Sequence, residues 1–146
     1  MTKLVILADL GHLRAFSFTP AEPEHHARYR VQEIDLRPQD KPERISERVT
    51  DQAGRFAQHG NPGMTNGEAH NLETEQERRI IKTLADRIER ILQRSPCDQW
   101  TLAAPKTICH RLKDAIGNAA RRSLARVEPA DLTKLHVKEV EARFMA

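Results

Sequence analysis

Apolar positions in this chain form strand-like runs at the start, one long helical stripe near the middle and shorter mixed blocks after it. Leu4-Val5-Ile6-Leu7 is a continuous apolar run that reads as a buried strand ending at Asp9. Asp9-Leu10-Gly11-His12 carries turn chemistry, and a second run from Leu13 to Thr19 stops at Pro20, so the two predict a β-hairpin. Between Arg28 and Leu36, Tyr29 and Val31 lie on one parity and Ile34 and Leu36 on the other, which predicts a third strand interrupted by a bulge.

From Arg37 to Asn71 no apolar period is sustained. Loops longer than about 15 residues are uncommon in compact domains and are usually either functional or disordered. A weak helical candidate runs from Pro42 to Thr50, where Ile45 and Val49 are four apart. Asp51 to Phe56 reads as a structured turn: Asp51 can bond the backbone two residues on, Gly54 permits the bend, Phe56 anchors it and Arg55 is held outward. His59, Gly60, Gly63 and Gly67 follow in a stretch whose composition fits a surface excursion. Together Asp51, Gly54, Arg55, His59, Gly60, Gly63 and Gly67 form the candidate functional loop.

Ile81, Leu84, Ala85, Ile88, Ile91 and Leu92 then fall at the spacing of an amphipathic helix. Thr74 and Glu77 have capping-box spacing at its start, Arg90 and Arg94 suit its C-terminal dipole, and Ser95-Pro96 ends it. Gln99 to Ala104 predicts a strand closed by Pro105. The next helix has Ile108, Leu112, Ala115, Ile116 and Ala119 as its buried stripe, interrupted or capped at Gly117-Asn118. Leu124 to Glu128 predicts a last strand, and Thr133 caps a final helix that buries Leu135, Val140 and Phe144. The order is βββ, long loop, αβαβα. It implies one α/β domain over residues 1–146, a mixed sheet covered by about three helices.

Composition narrows the chemistry. The opening apolar run is too short for a spanning helix or a secretory signal, so a cytoplasmic protein without membrane contact is expected. Cys97 and Cys109 lack zinc or redox spacing and read as free packing residues. The seven histidines show no metal-ligand spacing, so neither a metal nor another cofactor is expected. No G-x-S-x-G occurs, and nucleophilic catalysis has no positive signal.

With 24 Lys and Arg against 21 Asp and Glu, the net charge of +3 does not by itself demand a nucleic-acid partner. Its distribution says more. From Lys106 to Arg126 six basic residues (Lys106, Arg111, Lys113, Arg121, Arg122 and Arg126) face a single acid, Asp114. Such a cluster suits RNA phosphates, although charged helix faces are commonly just solvated and few aromatics are present to stack on bases. Lys106 and Thr107 begin a helix, where unpaired N–H groups favour anions, but Pro105 and Thr107 also make an ordinary helix start. The anion-binding candidates are therefore Arg55, Lys106, Thr107, Arg111, Lys113, Arg121 and Arg122.

Ala8-Asp9 with Gly11 and Arg14, Asp51-x-x-Gly54-Arg55-Phe56, Leu102-Ala103-Ala104-Pro105, and Asp131-Leu132-Thr133, in that order, resemble the bacterial host attachment family, described as required for attachment to host cells. That family resembles the middle domain of archaeal and eukaryotic peptide-chain release factors, which implies a mixed sheet with helices on its faces and contact with the ribosome. The loop equivalent to the release factors' Gly-Gly-Gln element reads His59-Gly60-Asn61-Pro62-Gly63-Met64-Thr65-Asn66-Gly67 here, without that motif. The expectation is a non-catalytic binding module that engages ribosomal or other structured RNA and affects attachment indirectly. Hydrolysis of a peptidyl-tRNA-type ester by the glycine-rich loop is one alternative, and a protein partner in the attachment machinery is another.

Overall fold

A computed structural model of the chain describes residues 1–22, 29–37 and 66–145. Five strands form a mixed sheet in the order β3-β2-β1-β4-β5. They are β1 (Lys3–Ala8), β2 (Leu13–Pro20), β3 (Tyr29–Glu33), β4 (Gln99–Ala104) and β5 (Leu124–Pro129). Among the described residues there are four helices: α1 (Asn66–Arg94), α2 (Lys106–Ala115), α3 (Asn118–Ser123) and α4 (Val137–Met145). β1 pairs antiparallel with β2 and parallel with β4, and β4 pairs parallel with β5.

Strand alternation sorts the apolar side chains into two layers. Leu4, Ile6 and Ala8 of β1, with Trp100, Leu102 and Ala104 of β4, pack beneath α1 and α2, which contribute Ile81, Leu84, Ile88, Ile91, Ile108 and Leu112. Val5, Leu7, Phe16, Phe18 and Ala103 face the other way, against Leu132 and Val140, with Phe144 packed alongside. The predicted stripe of the long helix is thus its buried side. Cys97 and Cys109 are both free, as read from their spacing.

Several expectations need correction. The third strand needs no bulge: Tyr29 and Val31 pack on the α4 face, Ile34 and Leu36 on the α1 face, as plain alternation requires. The irregularity lies between β4 and β5, at Trp100/Thr101. Helix α1 begins at Asn66, so Thr74 lies inside it rather than at its cap, and Gly67 belongs to the helix rather than to the loop. Polar residues from Asn66 onward carry no apolar stripe, which hid this segment from a periodicity reading.

The helix after β4 is two helices. Ile116 leaves the helical region with ψ 138°, and Gly117 follows with ψ 162°. The Gly117 N–H donates to Glu89 Oε1 at 2.5 Å, and a Cβ at Gly117 would come within 2.6 Å of that oxygen. The oxygen is the far end of a flexible side chain that can shift, and both Ile116 and Gly117 have extended backbone that residues other than glycine adopt. Ala115 and Ala119, expected in the core, are exposed: Ala115 lies within α2 beside Arg111, off the buried Ile108/Leu112 arc, and Ala119 lies in the second helix beyond the break. Thr133 does not cap the final helix. α4 starts four residues later, with His136 accepting the Lys138 N–H at 3.2 Å.

Candidate functional site

The predicted helix over Pro42 to Thr50 and the loop residues Asp51, Gly54, Arg55, His59, Gly60 and Gly63 lie outside the described residues. The basic candidates from Lys106 onward are described, and helical geometry separates them. At 3.6 residues per turn, Lys106, His110 and Lys113 line one stripe of α2, whereas Thr107, Arg111, Asp114 and Ala115 line another, about a third of a turn away. Ile108, Cys109 and Leu112 fill the third, buried arc. The structure therefore does not gather the candidate cations into one patch.

Their partners differ as well. Arg111 on the second stripe bonds the Thr107 carbonyl at 2.9 Å and pairs with Glu77 of α1 at 3.0 Å. Arg121 folds back over the end of α2, donating to the carbonyls of Lys113 at 3.2 Å and Asp114 at 2.9 Å and pairing with the Asp114 carboxylate at 3.6 Å. It supplies the donors that the last turn of a helix lacks. Arg126 pairs with Glu128 at 3.2 Å. Lys106, Lys113 and Arg122 are exposed and have no ion-pair partner among the described residues. Pro105 starts α2 without a side-chain cap.

Between α1 and α2 runs a groove of about 620 Å³, lined by Thr74, Arg78, Ile81, Lys82, Arg111, Asp114 and Ala115. Arg78 pairs with Glu75 at 3.2 Å, both side chains being largely exposed. Ion pairs of this kind are worth about 0–1 kcal/mol and exchange readily with solvent or another anion.

A second polar constellation lies where the β1–β2 turn meets the loop between β5 and α4. It joins motif residues that are far apart in sequence. Asp9 Oδ1 accepts the Gly11 N–H at 2.8 Å, and the His12 ring nitrogen Nδ1 lies 3.0 Å from the same oxygen. The Thr133 hydroxyl lies 2.9 Å from Asp9 Oδ2 and 3.0 Å from Asp131 Oδ1, and its single proton bonds one of them at a time. Arg14 donates to the carbonyls of Thr133 at 3.0 Å and Leu135 at 2.6 Å and to Glu33 at 2.8 Å, with its guanidinium 4.9 Å from the Phe16 ring centre.

Burial alone would raise the Asp9 carboxyl, but the Gly11 N–H, the Thr133 hydroxyl and the His12 ring outweigh it and hold Asp9 below its ordinary value. With a folded-state pKa below the unfolded one, Asp9 contributes stability that is fully present above the unfolded value of about 3.9 and lost as pH falls through the folded value. Denaturant midpoints measured from neutral pH downward should therefore fall more steeply for the wild type than for Asp9→Asn. Parallel acid limbs would show that Asp9 is not held in this way.

The thiols differ from nucleophiles. Burial, reinforced by the Asp98 charge, pushes Cys97 up, and burial raises Cys109 despite the Ala104 backbone bond and the nearby Lys113. Among the described residues no group of three His, Cys, Asp or Glu side chains converges as a metal site, and no helix is long and apolar enough to cross a membrane.

Fold and surface together define an α/β protein with helices on both faces of a mixed sheet, a polar junction at one sheet end and exposed cations on α2 and α3. The chain belongs to the family described as "Protein required for attachment to host cells", whose model matches residues 4–144. Among curated proteins, none matches the chain. Composition and periodicity singled out neither the Asp9, His12, Arg14, Asp131 and Thr133 junction nor the groove. The junction's signal was the pairing of two family motifs, Asp9 to Arg14 and Asp131 to Thr133, whose contact only the fold reveals.

Proposed function

We propose that this host attachment family protein is a non-catalytic, cytoplasmic binding module for structured RNA, including ribosomal RNA, and that its effect on attachment is indirect. One observation carries the reading: Lys106, Lys113 and Arg122 are exposed and have no ion-pair partner among the described residues, so their charge is available to an external anion. Cations already neutralised by internal carboxylates gain less from a phosphate than cations paired only with mobile counterions, whose release drives nucleic-acid binding. The raised thiols of Cys97 and Cys109 and the absence of a Gly-Gly-Gln sequence favour binding over hydrolysis.

Sedimentation of cell lysate tests this directly. The protein is expected to travel with ribosomes or other RNA at low salt, to leave them at high salt and to leave them after ribonuclease treatment. A protein that stays in the light fractions at low salt would refute the RNA-binding reading. Capture of envelope-associated proteins in place of ribosomal ones would favour the protein-partner alternative.

A further inference from the structure

We infer that the groove between α1 and α2 is a site for one phosphate-bearing nucleotide, the place where an RNA strand is held by a pocket. This rests on the RNA-binding reading and adds a position and a ligand size to it. The groove's volume of about 620 Å³ lies in the range of small-ligand pockets. Its walls bring three cations together from two helices: Arg78 and Lys82 are four apart on α1, and Arg111 faces them from α2.

Lys82 is exposed and has no ion-pair partner among the described residues. Arg78 and Arg111 are paired with Glu75 and Glu77, the two arginine side chains being 72% and 46% exposed, so a phosphate there would have to compete with these carboxylates. Guanidinium groups can meet a phosphate with two parallel N–H donors and can also stack on an unpaired base. One lining carboxylate, Asp114, opposes them; it is 78% exposed and lies 3.6 Å from Arg121. Ile81 and Ala115 add apolar surface suited to a ribose or base. Lys106 and Lys113, on the other exposed stripe of α2, do not line this groove.

The test is calorimetric titration of the full chain with adenosine 5′-monophosphate, with inorganic phosphate and unphosphorylated adenosine as separate titrants. The nucleotide should bind saturably and more tightly than either part. Lys82→Glu should weaken it at least ten-fold, and Lys82→Ala should weaken it to a smaller degree. Thermal melts of all variants establish that they are folded. Absence of saturable nucleotide binding, equal affinity for inorganic phosphate, or indifference to both Lys82 substitutions would overturn the site. Wild-type protein that binds structured RNA but not the mononucleotide would overturn the groove site alone and leave the RNA-binding reading standing.

Discussion

Trp100→Ala is expected to lower folding stability by about 3–5 kcal/mol, the usual cost of emptying a large aromatic site in a core. Trp100 is 1% exposed on β4, within the cluster beneath α1 and α2, and its indole N–H donates to the Ala120 carbonyl at 2.8 Å. The residue thus fills the core and also fastens α3, whose six residues contain no buried side chain of their own. Trp100→Phe keeps most of the volume and removes the donor, so it should cost about 1–3 kcal/mol, the penalty of leaving a carbonyl unpaired. Urea unfolding followed by circular dichroism measures both. A Trp100→Ala protein within about 0.5 kcal/mol of wild type would contradict this description of the core.

Arg14→Met should come next in size, at roughly 2–5 kcal/mol, because it removes the shared donor of two carbonyls. The side chain is only 24% exposed and reaches from β2 to Thr133 and Leu135, ahead of α4. The Glu33 pair adds little, since that carboxylate is 43% exposed. Arg14→Lys should recover only part of the stability, as one ammonium cannot reproduce the forked guanidinium donors. Hydrogen exchange distinguishes a local from a global effect: amides from Ala130 to Val140 should exchange faster in Arg14→Met than those of β4. Unchanged protection there would show that Arg14 does not hold this loop.

Much of the architecture can be read from local pattern because local pattern causes it. The stripe from Ile81 to Ile91 has one face to bury, and the Leu4–Leu7 and Gln99–Ala104 runs suit central strands with helices on both faces. What escaped was set by long-range contact. At the helix break the Gly117 N–H bonds Glu89 of α1, and Thr133 serves Asp9 across the fold instead of capping the helix that follows it. The basic cluster from Lys106 to Arg126 was visible as composition, yet its division into an outer stripe and a groove wall depends on where the core takes its third of α2. Arg121 illustrates the same point: a cation in sequence, it is a helix cap in the fold.

The proposed contact of the outer cations of α2 and α3 with RNA phosphates is tested most directly by the salt dependence of binding to a labelled, structured RNA, followed by fluorescence anisotropy. Wild type should bind at low salt with a negative slope of log affinity against log salt. Lys106→Ala/Lys113→Ala/Arg122→Ala should bind more weakly, with the slope shallower by about 0.7–0.9 for each phosphate that is no longer neutralised. No binding by the wild type at low salt, or a triple variant with the same affinity and the same slope, would contradict the claim.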